Sequence, residues 1–78
     1  MNKVIITVGN NYIPFITEEY ETRVDMTDLA EINMAVSECC GHYLEVHEDI
    51  YHASCPDLTW DDFIEGIFYM IEEVNDEF

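Results

Sequence analysis

The sequence predicts a small α+β domain, an N-terminal antiparallel hairpin or meander packed against two or three helices. Three observations carry this expectation. Residues 4–8 form a β-rich apolar run closed by the turn signal Gly9-Asn10-Asn11. Tyr20, Thr22 and Val24 alternate with Glu19, Glu21 and Arg23 at the period of a half-buried strand. From Met26 onward the apolar residues instead recur at helical spacing. With 78 residues, 49% of them hydrophobic, there is material for one core, so residues 1–78 are read as a single acidic domain.

Each element has its own local reason. Residues 4–8 have the composition of a buried central strand. Residues 12–17 are the next strand candidate, and Pro14, which cannot donate to a ladder, places that strand at an edge or a bulge. The alternating stretch that ends at Val24 would complete a meander. Between residues 26 and 40, Leu29, Ile32, Val36, Cys39 and Cys40 fall on one arc, with Asp28, Glu31 and Glu38 on another. Gly41 then stands where a C-terminal helix cap belongs. Residues 42–53 read either way, since Tyr43, Val46 and Ile50 have helical spacing while Leu44 and Val46 alternate; helix is favoured.

The last segment reads as one amphipathic helix. Thr59 is a good N-cap, Asp62 three residues on makes a capping-box variant, and Leu58 can staple onto Phe63. Trp60, Phe63, Ile64, Ile67, Met70, Ile71 and Val74 share one face. Asp61, Asp62, Glu65, Glu72, Glu73 and Asp76 share the other, with Tyr69 among them.

Charge is the main pointer to function. Eighteen Asp and Glu face two cations, Lys3 and Arg23, for a net charge of −16. Solubility needs a net charge of only about 2–8 on a small domain. The surplus carboxylates repel one another and oppose the compact state, so such an excess asks for a partner. That partner is expected to be a basic, nucleic-acid-binding protein, because free nucleic acid and anionic membrane would both be repelled. The candidate binding residues are the acidic row Asp61, Asp62, Glu65, Glu72, Glu73 and Asp76, with Tyr69 as an aromatic anchor. Glu18, Glu19 and Glu21 form a second patch.

A rival reading is a small zinc-binding protein. Cys39, Cys40, His42, His47, His52 and Cys55 crowd one stretch of the chain. None of them has the C-x-x-C or H-x-x-x-H spacing of a recognised site, so no metal or cofactor is assigned. Asp57, Thr59 and Asp61 open like a calcium loop, but Asp62 and Phe68 occupy its glycine and glutamate positions. No phosphate-cradling glycine loop, nucleophile constellation or distinguishable carboxylate pair marks an enzyme. An odd cysteine count with two adjacent residues fits a reducing cytoplasm, and no apolar run reaches membrane-spanning length.

In this character, small, nearly devoid of cations, apolar within and acidic along its helices, the chain resembles the acidic inhibitors encoded by bacteriophages. These include the nucleic-acid-mimicking anti-CRISPR and anti-restriction proteins and the uracil-DNA glycosylase inhibitor. The resemblance covers overall composition and no alignable motif, so it assigns no residue. It implies a stoichiometric blocker in the host cytoplasm that occupies the nucleic-acid channel of a defence enzyme, a CRISPR effector before a restriction enzyme, a glycosylase or another basic host protein.

Overall fold

The structure, a computed structural model, describes residues 2–74. Strands β1 (Asn2–Asn10) and β2 (Thr17–Val24) are followed by helices α1 (Leu29–Val46), α2 (Glu48–Ser54) and α3 (Trp60–Glu65) and by strand β3 (Ile67–Val74). The sheet is antiparallel with order β2-β1-β3. This is the α+β arrangement expected, with the sheet and helices packed together.

β1 is central, as its composition predicts. Val4, Ile6 and Val8 are fully buried. Together with Ile13, Val24, Val36, Tyr43, Tyr51 and Phe63 they form the core. The ring of Tyr51 lies 5.1 Å from that of Trp60 and 4.7 Å from that of Phe63, which ties α2 to α3.

Residues 12–16 do not form a strand, and Thr17 instead opens β2. Asn11–Ile16 is a turn whose bonds run Ile13 N–H to the Asn10 carbonyl (3.1 Å) and Ile16 N–H to the Ile13 carbonyl (3.0 Å). Ile13 is fully buried beneath it. Pro14 therefore lies in the turn and not on a sheet edge, and β1 takes its first strand partner from the alternating stretch instead.

α1 begins at its N-cap Asp28, whose carboxylate accepts from the N–H groups of Ala30 and Glu31. It does not stop at Gly41. Nothing within 4 Å would meet a Cβ there, and the helix continues to Val46. Residues 42–54 are accordingly helical, in the end of α1 and in α2.

The long final helix is the main correction. Thr59 does cap α3, accepting from the Asp62 N–H, but Gly66 ends the helix and residues 67–74 pair with β1. Two facts favour the strand. A central strand with a buried face must satisfy its backbone groups on both sides, and Ile67-Phe68-Tyr69-Met70-Ile71 is rich in β-branched and aromatic residues. The close approach at Gly66 also demands glycine: an added Cβ would lie 2.6 Å from the Tyr12 ring.

Candidate functional site

Side chains alternate across a strand, so the register sorts every sheet residue onto one of two faces. Val4, Ile6 and Val8 point to the helices, and their strand partners Glu18, Tyr20, Thr22, Tyr69, Ile71 and Glu73 share that side. The other face, across the sheet from the helices, carries Lys3, Ile5, Thr7 and Gly9 on β1. Beside these stand Thr17, Glu19, Glu21 and Arg23 on β2, and Phe68, Met70, Glu72 and Val74 on β3.

This assignment segregates charge. Lys3 and Arg23, the only two Lys or Arg residues in the sequence, are paired neighbours at one end of the open face. Lys3 Nζ lies 3.0 Å from Glu21 Oε1. The helical layer holds Glu31, Glu38, Glu45, Glu48, Asp49, Asp61, Asp62 and Glu65 with no Lys or Arg among them. Along α1, Glu31, Glu38 and Glu45 repeat every seven residues, about 10.5 Å at 1.5 Å per residue. The seven-residue interval is visible in the sequence, yet Gly41 as a helix stop separates Glu45 from the other two.

The candidate residues are divided among four places. Asp61, Asp62 and Glu65 share α3, with Asp61 and Glu65 one turn apart, about 6 Å along the axis. Glu72 and Glu73 are adjacent in sequence but project to opposite faces of β3. A continuous acidic row from Asp61 onward therefore does not exist. Tyr69 stands half exposed on the helix-side face of the β3 edge. Glu19 and Glu21 join Glu72 on the open face, where Glu21 and Glu72 flank Ile5 from opposite sides. Asp76 lies outside the described residues.

Glu18 is turned inward. Its Oε1 lies 3.0 Å from Nε2 of the buried His47, whose ring packs on Tyr43 with centroids 4.6 Å apart. That pairing joins β2 to the α1–α2 junction. It gives Glu18 a structural partner which Glu19 and Glu21 do not share.

The Cys and His cluster is dispersed by the fold. His42 packs edge-on against the Tyr20 ring, His47 meets Glu18, and His52 lies beside Glu48. Among the described residues no group of three His, Cys, Asp or Glu side chains is arranged to hold a metal ion. Burial pushes the thiols of Cys39 and Cys40 above their ordinary range, which keeps them protonated. No helix among the described residues is long and apolar enough to cross a membrane.

Comparison with protein-family models, curated proteins and solved structures finds no match to this chain.

Proposed function

We propose that this protein is a non-enzymatic inhibitor that mimics nucleic acid and blocks the DNA- or RNA-binding surface of a basic host enzyme, with a CRISPR effector the favoured target. The observation that carries the reading is the segregation of charge. A net charge of −16 over 5333 Å² is about one charge per 330 Å², against on the order of one per 100 Å² for the envelope of duplex DNA. Averaged over the whole surface the protein is too dilute to imitate phosphates. Placing both cations on the open sheet face leaves the helical layer as an anionic surface without Lys or Arg, so the match rests on local spacing and sign and not on mean density. Lys and Arg already arranged to hold phosphates accept well-placed carboxylates in their stead.

The test is displacement of labelled DNA or RNA from a panel of purified CRISPR effectors, restriction enzymes and glycosylases, at low and high salt. Competitive, salt-weakened displacement is expected from at least one enzyme. An Asp61→Asn/Asp62→Asn/Glu65→Gln variant should displace less well, because deleting one partner of a charge-assisted pair at an interface costs a few kcal/mol, about 2–5. Displacement that ignores both salt and charge removal would sink the reading and leave the charge as a solvated coat.

A further inference from the structure

Exposed aromatic side chains gather at the end of the sheet remote from Lys3 and Arg23. Phe68 is the β3 partner of Gly9, and its ring covers that glycine so closely that a Cβ there would lie 2.5 Å from Cζ. Met70 follows on the same face, 66% exposed, while Tyr69 between them projects to the opposite face. Tyr12 covers Gly66, immediately before β3, and is itself about half exposed. Phe15, at the tip of the β1–β2 turn, is 75% exposed, the most exposed of the large apolar side chains among the described residues.

The turn that presents Phe15 is fixed from several sides. Ile13 is fully buried, the Asn11 N–H donates to the Gly66 carbonyl (2.8 Å), and the Tyr43 hydroxyl donates to the Ile16 carbonyl (2.8 Å). The Tyr12 N–H donates to Asn10 Oδ1 (2.9 Å), and Pro14 restricts the backbone just before Phe15. A chain so constrained has little freedom left to lose on binding, which is the condition for an exposed aromatic to act as an anchor. Solubility gives no reason to hold a phenylalanine in water on a rigid turn.

The surroundings specify the partner. Glu19 and Glu72 share the open face with Phe68 and Met70, Glu19 standing across Thr7 from Met70. Neither Lys nor Arg lies at this end. Lys3 is six residues along β1 from Gly9, roughly 20 Å away at 3.4 Å per residue. An apolar patch flanked by carboxylates has the anatomy of a protein interface, and its charge selects a basic partner.

We infer that Tyr12, Phe15, Phe68 and Met70 form a docking surface for a basic protein partner, with Phe15 entering an apolar pocket between the partner's Lys and Arg side chains. This rests on the proposed inhibitor reading and deepens it. Binding is oriented by the aromatic end of the sheet, and acids alone do not define the interface.

The experiment compares two synthetic cationic peptides of equal length and charge, one alternating Lys with Gly and the other alternating Lys with Trp. Affinity is measured by titration, and the binding surface is mapped by amide chemical shifts of the full chain. Wild type is expected to bind the Lys/Trp peptide at least about tenfold more tightly, with shifts centred on residues 12–15 and 68–70. Phe15→Ala should remove most of that advantage while leaving Lys/Gly binding and the melting midpoint unchanged, since Phe15 is too exposed to support the core. Equal binding of the two peptides, or shifts centred on the helices, would overturn the docking surface and leave the charge-based reading standing. Failure of both peptides to bind at low salt would overturn the two together.

Discussion

Asn10 and Phe63 are joined across 53 residues by a buried hydrogen bond, the Asn10 amide Nδ2 donating to the Phe63 carbonyl at 2.7 Å. The same side chain accepts from the Tyr12 N–H, so one fully buried amide locks the end of β1, the turn and α3 together. Asn10→Ala should cost about 1–3 kcal/mol from the polar groups left unmade. Asn10→Asp should cost more, because it deletes the donor and buries a charge in an already anionic protein. Urea midpoints decide this. An unchanged midpoint for Asn10→Ala would mean the amide is not a lock.

Gly66 and Tyr12 predict a coupling. Gly66→Ala forces the Tyr12 ring away, because an alanine methyl would sit 2.6 Å from it and 3.0 Å from Asn10 Oδ1. A destabilisation of about 1–3 kcal/mol is expected. In a Tyr12→Ala background the ring is gone and the same substitution should cost clearly less. Additive effects in the double-mutant cycle would refute the close approach.

Alkaline pH should unfold the protein early. Burial raises Tyr20, Tyr43, Cys39 and Cys40, with Glu18 adding to the rise of both tyrosines. A group raised in the folded state contributes stability that is complete below its unfolded value and is lost as pH climbs through the folded one. With ordinary values of 9.0 for the thiols and 10.0 for the tyrosines, denaturant midpoints should hold near neutrality and fall from about pH 9 upward. Tyr43→Phe should flatten part of that fall. A midpoint constant into the range of tyrosine ionisation would contradict the prediction.

Asp25 predicts the opposite sign. The Thr27 hydroxyl bonds its carboxylate at 2.6 Å and the Thr27 N–H at 2.9 Å, and these two bonds hold it below its ordinary value of 3.8. Its contribution is present above that value and lost as pH falls through the depressed folded one. Thr27→Val deletes the hydroxyl bond, so carbon-detected titration should show Asp25 moving upward toward the ordinary range. A titration midpoint unaltered by the substitution would rule the hydroxyl out as the cause.

Much of this fold is legible in the letters. The burial of residues 4–8, the strand ending at Val24, the helical character of residues 42–54 and the Thr59 cap all follow from periodicity and capping chemistry. The helical expectation for residues 67–74 fails for a specific reason. Ile64, Ile67, Ile71 and Val74 satisfy helical spacing, while the strand's own faces, Ile67-Tyr69-Ile71-Glu73 and Phe68-Met70-Glu72-Val74, mix apolar and acidic residues and conceal a period of two. What decides the outcome is distant in sequence, the side of β1 that β2 leaves open. Gly41 misleads in reverse, since a glycine can sit inside a helix that is held by packing on either side of it. The candidate acids are legible one by one, but their grouping is not, because a helix and a strand send neighbouring carboxylates in different directions.

The strand order carries a consequence for how the chain is made. β1 precedes the other described elements and is the centre of the sheet, yet one of its two neighbours is the last strand in the chain order described. Until residues 67–74 have left the ribosome, a hydrophobic strand must wait with one side open, and closing it joins segments more than fifty residues apart. Such distant pairings form slowly and leave an edge that other nascent chains can capture. The crowd of carboxylates, already translated by then, repels like-charged copies during that interval. The charge that is proposed to imitate nucleic acid thus also opposes association between incomplete copies.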